Sequence, residues 1–144
     1  MSSKTVLLTI VRHGQTEANV EKLLHGWTDT SLNDMGVRQG HAAGQALKAT
    51  RFHKAFSSDL QRANYTCRYI IDENVSSTLS SDDIIVDKLL RERNFGEFEN
   101  VPFAAVGLPK LLAGKPIGGE SDEDVKERAR AFLKVIRHQV CNLI

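Results

Sequence analysis

The sequence predicts an α/β fold, and three observations carry that reading. An apolar run from Val6 to Val11 leads straight into Arg12-His13-Gly14, two further short runs (Phe52 to Phe56 and Ile84 to Val86) have strand character, and helical patterns lie between and after them. A chain of 144 residues makes one domain, read as residues 1–144, with a single core. Hydrophobic residues are 41% and charged residues 26%, the balance of a globular protein, and a net charge of +1 gives no bulk attraction to nucleic acid or a membrane surface.

The first run holds six apolar or β-branched residues in succession, which reads as a strand buried on both faces. Gly14 followed by Glu17, Ala18 and Glu21 reads as a turn into a short helix reaching about Leu24, so His13 is expected at the carboxyl end of a strand, where open α/β sheets place their ligands. His25 to Leu32, glycine-bearing and polar, is a loop. From Asn33 or Asp34 to about Ala49 the spacing of Val37, His41, Gly44, Ala46 and Leu47 predicts a helix, with Gly36, Gly40 and Gly44 arranged for close packing on a neighbour.

Ser57-Ser58-Asp59 closes the second strand with residues that cap helices well, and the helix that follows runs from about Leu60 to Asp72 with Arg62 in its first turn. Asn74 to Asp83 is a serine-rich loop. Asn100 to Pro116, punctuated by prolines and glycines, reads as a lid-like excursion. Ser121 caps a last helix with Asp122, Glu123 and Asp124 in its first turn, and Val125, Ala129, Phe132, Leu133, Ile136 and Val140 form an apolar stripe expected to be core. Cys67 and Cys141 lack ligand spacing and are read as reduced, buried thiols. The N-terminal apolar run is too short for a signal-peptide core or a membrane span, which makes the cytoplasm the expected compartment.

Arg-His-Gly alone is an ordinary loop tripeptide. Here it is followed in order by Ser57-Ser58-Asp59-Leu60-Gln61-Arg62-Ala63, Leu90-Arg91-Glu92-Arg93-Asn94-Phe95-Gly96-Glu97 and Gly118-Gly119-Glu120-Ser121. Together these stretches resemble the histidine phosphatase, or phosphoglycerate mutase-like, superfamily over nearly the whole chain. The resemblance implies a three-layer α/β/α fold with a mainly parallel sheet, and a phosphatase acting on a phosphorylated small molecule through a phosphohistidine.

Phosphoryl transfer needs an aligned nucleophile, cationic donors for the phosphoryl oxygens and an acid for the leaving oxygen. His13 is the expected nucleophile, with Arg12 and Arg62 as planar forks for phosphate oxygens. Glu92 is the expected acid, provided that burial or an anionic substrate keeps it protonated. Taken alone, Arg91-Glu92-Arg93 would be a solvated charge run. The resemblance gives it the proton-donor role. Asn19 is a further donor to substrate, and the resemblance places His25 and Gly26 near the ligand. Trp27 is either core filler or a pocket wall. No cofactor and no metal are implied, because the histidines lack ligand spacing and the arginines supply the charge.

Within the family, the Leu-Arg-Glu-Arg and Ser-Ser-Asp-Leu runs and the short spacing between Glu92 and Gly118 look most like the TIGAR-type fructose-2,6-bisphosphatases. A mutase activity is the alternative. The pattern breaks at the end: the family's second histidine, in a turn after a further strand, is absent, and His41, His53 and His138 lie in unsuitable contexts. The expectation is therefore a C-terminally incomplete domain, with Val6 to Val11 left as an unpaired sheet edge. The reading from another class is an inactive fragment serving as a phosphate-ligand binding or interaction module, against which the retention of Glu92 counts.

Overall fold

The computed structural model describes residues 5–141. Its regular elements begin with α1 (Glu17–Val20) and α2 (Asp34–Leu47), followed by β1 (Ala55–Ser57), α3 (Gln61–Asp72) and β2 (Ile84–Val86). Two short helices, α4 (Phe103–Val106) and α5 (Leu108–Leu112), precede the long α6 (Asp122–Cys141). No helix among the described residues is long and apolar enough to cross a membrane.

β1 and β2 pair in parallel, Ala55 opposite Ile84 and Ser57 opposite Val86. Successive residues of β1 point to opposite faces, as the pleat requires. Ala55 packs with Ile84 and with Ile71 of α3, while the Phe56 ring meets Phe132 of α6 edge-on at 5.5 Å between centroids. Helices thus cover both faces of a small parallel sheet, the layered α/β arrangement expected.

The first strand is a correction. Residues Val6 to Val11 belong to no strand and are exposed on both sides, Leu7 at 88% and Ile10 at 89%. A strand exists only through a ladder with a neighbour, and among the described residues the sheet has two members, neither of them this run. Continuous apolar sequence states a need for burial; it does not supply the partner. The run is therefore neither the buried strand nor the unpaired sheet edge expected.

The helices follow their local signals more closely. Asn33 caps α2 by accepting from the Gly36 N–H at 2.9 Å. The buried face of α2 is its glycine stripe: Gly36 lies against the Gln15 backbone, and Gly40 and Gly44 let α2 press against Tyr69 of α3 and its C-cap Glu73. Ser121 and Asp124 cap α6 reciprocally, the Asp124 N–H donating to Ser121 Oγ and the Ser121 N–H to Asp124 Oδ2. The cap expected for α3 is different: Leu60 occupies the position with no side-chain bond, and Asp59 instead pairs with Arg91. In the stripe of α6, Phe132 is buried and Val125 and Ile136 are half-buried, but Ala129 and Leu133 are exposed, so the stripe is only partly core. Val140's side chain lies outside the described residues. The helix after Gly14 ends at Val20, short of Leu24, because Leu23 leaves it to bridge Pro102. The segment after Asn100 packs as α4 and α5 against a cluster of Leu24, Phe98 and Leu111.

Candidate active site

The turn after Val11 is held from below by α3. The Gly14 N–H donates to Thr66 Oγ1 at 3.0 Å, and Thr66 donates to the carbonyl of Arg62 at 2.7 Å. Only glycine fits at Gly14, because a Cβ there would stand 2.9 Å from Gly36 Cα. The position that sequence assigned to a strand end is thus fixed by a helix and a glycine contact.

His13 is half-buried and its Nδ1 lies 2.7 Å from the carbonyl of Gly14. A carbonyl only accepts, so Nδ1 carries the hydrogen and Nε2 keeps the lone pair. Burial lowers the His13 pKa, and the charges of Arg62, Arg12 and His25 push the same way against the Gly14 bond. At neutral pH the ring is a neutral imidazole with an available nitrogen, the form a nucleophile needs.

His25 faces His13 edge-on, with ring centroids 6.0 Å apart. Its Nδ1 donates to the carbonyl of Leu23 at 3.2 Å and its Nε2 lies 3.3 Å from Thr16 Oγ1. Burial lowers its pKa too, so the ring is neutral, and its Nε2 lone pair competes with Asn19 Oδ1 for the one Thr16 hydroxyl hydrogen. Asn19 enters through the same threonine: its Oδ1 accepts from the Thr16 N–H and hydroxyl, each at 3.0 Å, as the reciprocal cap of α1. The side chain read as a substrate donor therefore spends its oxygen on the cap and retains its amide hydrogens.

Arg62 is 2% exposed and its guanidinium donates to the carbonyls of Thr28 at 2.9 Å, His25 at 2.9 Å and Gly26 at 2.8 Å. It shapes the loop that carries His25 and at the same time brings a fixed positive charge beside both imidazoles. Arg12 is exposed, and its charge depresses His13, His25 and Arg62 alike, which places it at the same cluster. Gly26 is buried against the Arg93 backbone, where a Cβ would meet the carbonyl carbon of Arg93 at 2.9 Å.

Glu92 stands on the arm that contacts the loop bearing His25. It is exposed, its Oε1 accepts from the Arg93 N–H at 2.8 Å, and its carbonyl accepts from Trp27 Nε1 at 3.0 Å. The burial expected around Glu92 is therefore not found. Trp27 is rim, not core, at 37% exposed, with the Arg91 guanidinium over its ring at 4.6 Å. Arg128 of α6 braces this arm, donating to the carbonyls of Leu89 and Arg91 at 2.8 Å each and pairing with Glu120 at 2.7 Å.

Sequence reasoning missed Thr16, Thr66, Glu99 and Arg128. Thr16 alone left a signal, since Thr16 to Asn19 has the spacing of a cap. Among the described residues no group of three His, Cys, Asp or Glu side chains is placed to hold a metal. Cys67 is a free thiol that burial pushes up to about 11.

The structure thus sets a neutral histidine in an arginine cluster with a second histidine beside it, and a loop that contacts the arm bearing Glu92. Residues 8–142 match the family described as the histidine phosphatase superfamily (branch 1), and the chain belongs to that family. It is 44% identical over 137 residues to the fructose-2,6-bisphosphatase TIGAR B of Danio rerio, a match covering 90% of this chain and 52% of that protein. It is 41% identical over 99 residues to a 2,3-bisphosphoglycerate-dependent phosphoglycerate mutase of Allorhizobium ampelinum, covering 67% of this chain and 46% of the mutase. The chain thus spans about half the length of these relatives. Among solved structures, a mycobacterial glucosyl-3-phosphoglycerate phosphatase in complex with VO3 superposes with a TM-score of 0.74 at 30% identity, over 88% of this chain and 64% of that one.

Proposed function

We propose that this chain carries the pocket of a phosphatase that hydrolyses a phosphomonoester, a sugar bisphosphate such as fructose 2,6-bisphosphate, through a phosphohistidine on His13. Nε2 of His13 attacks phosphorus while Glu92 gives its proton to the departing substrate oxygen. Glu92, now a carboxylate, takes a proton from water as that water attacks the phosphohistidine, which releases phosphate and restores both groups. Arg12 and Arg62 offset the charge on the phosphoryl oxygens, and His25 beside His13 is the second imidazole of the pocket.

The observation that supports this most is the state of His13: Nδ1 tied to the Gly14 carbonyl at 2.7 Å, with a pKa lowered by burial and then by Arg62, Arg12 and His25. Two arginines beside a buried imidazole keep it neutral and would hold an anion next to it. The TIGAR relatives support the sugar bisphosphate, at 40% identity over 145 residues for the Xenopus tropicalis protein as well. The mutase relative supports the second reading, transfer of the phosphoryl group to a phosphoglycerate in place of water.

The test is phosphate release by the purified chain from fructose 2,6-bisphosphate, phosphoglycerates and an aryl phosphate, beside His13→Ala. Release abolished by His13→Ala, with an acid-labile phosphoryl adduct on the unmodified protein, is the expected result. Interconversion of phosphoglycerates without phosphate release would favour the mutase. Phosphate binding without turnover would leave the binding module, and turnover surviving in His13→Ala would overturn the mechanism.

A further inference from the structure

We infer that Glu99 is a positioning residue of this site, the clamp that locks the loop bearing His25 to the arm bearing Glu92. The inference rests on the reading that the His13 pocket takes a phosphoryl group.

The loop from His25 to Thr28 presents carbonyls on one side and N–H groups on the other. Arg62 takes the carbonyls of His25, Gly26 and Thr28. Glu99 takes the N–H groups: Oε1 accepts from Trp27 N at 2.9 Å, and Oε2 from Thr28 N at 3.0 Å and Thr28 Oγ1 at 2.7 Å. Oε1 also accepts from Phe95 N at 2.9 Å, three residues past Glu92. One carboxylate, 72 residues from Trp27 in the chain, thereby joins the Trp27–Thr28 loop to the segment at Phe95.

Those segments are in contact on their own account. Gly26 sits against the Arg93 backbone, and Trp27 Nε1 donates to the Glu92 carbonyl at 3.0 Å. What glycine and indole bring together, Glu99 makes rigid, because four donors on two oxygens leave the carboxylate one orientation. These bonds hold the Glu99 carboxyl below its ordinary value although burial opposes them, so it stays ionised. Its charge also reaches the pocket: it favours the protonated forms of His25 and Arg62, against the other cations of the cluster.

Glu99→Gln keeps the shape but replaces one acceptor oxygen with a donating NH2, which faces either the Thr28 or the Trp27 and Phe95 N–H groups. Thr28→Val removes a single donor and leaves the charge. The measurements are the NMR titration of the His25 and His13 imidazoles and the affinity for inorganic phosphate by calorimetry, with circular dichroism to verify folding. Glu99→Gln should move the His25 midpoint to lower pH and weaken phosphate binding by roughly tenfold, as loss of a supporting partner does to other preorganised sites. Thr28→Val should move both in the same direction by less.

A folded Glu99→Gln with wild-type His25 titration and phosphate affinity overturns the inference. If Glu99→Gln does not fold, Thr28→Val decides in its place, and unchanged values there overturn it equally. If the wild-type chain binds no phosphate, the phosphatase reading is what fails, and the His25 shift alone decides the role of Glu99.

Discussion

Nη2 of Arg62 donates to the backbone oxygen of His25 at 2.9 Å, so the buried cation of the site reaches the second imidazole through the main chain. With the carbonyls of Gly26 and Thr28 also on the guanidinium, Arg62→Lys trades a planar fork for a single ammonium that cannot span three acceptors. Each buried acceptor left without a donor costs about 1–3 kcal/mol. Urea unfolding of Arg62→Lys should therefore show a loss of about 3 kcal/mol, and an unchanged midpoint would mean that the loop is held by something else.

Acidification should weaken the fold in a defined window. His13 and His25 both have pKa values lowered from 6.5, so between the folded and unfolded values the unfolded chain binds more protons. Stability from these two groups is complete above pH 6.5 and declines as pH falls below it. Urea midpoints from pH 7.5 to 5.5 check this, and His25→Phe should flatten part of the slope.

In α2, helix propensity and packing make opposite forecasts for Gly44→Ala. Alanine is favoured over glycine by about 1 kcal/mol in a helix interior. Here the new Cβ would lie 2.9 Å from the Tyr69 carbonyl and 2.8 Å from Glu73 Cβ, and backbone does not yield as a side-chain tip does. Packing wins, and thermal unfolding of Gly44→Ala should occur at a lower temperature than in the wild type. A rise would show that α2 and α3 part easily.

Arg128→Ala removes the donors to the carbonyls of Leu89 and Arg91 and leaves Glu120, only 15% exposed in its side chain, without its cation. A partly buried pair broken on one side is costly, and a loss of about 3 kcal/mol is expected. Arg128→Ala with Glu120→Gln should recover part of it, because no unpaired charge remains. A double variant as unstable as the single would place the whole effect in the carbonyl contacts.

How much of this was legible in the sequence depends on the reach of each interaction. The start of α2, the cap at Ser121, the glycine stripe of α2 and the span of α3 are written within a few neighbouring residues, and they came out as expected. Val6 to Val11 did not, because the same residues form a strand only if another strand runs beside them. The candidate site divides in the same way. His13, Arg62 and Glu92 were marked by the residues around them. Glu99 sits in an unremarkable acidic stretch and has its role only because Trp27 and Thr28 point their N–H groups at it.

By itself, then, the sequence determined α2, α3 and α6, the order of the motifs and the family, since a helix satisfies its backbone within four residues and a motif is local by construction. The tertiary structure alone decided which strands pair, that Arg62 shapes a loop as well as carrying charge, and which tautomer and charge state His13 holds. Ladders, buried carbonyls and electrostatic fields all depend on groups far apart in the chain, and their partners are chosen only when the chain has folded.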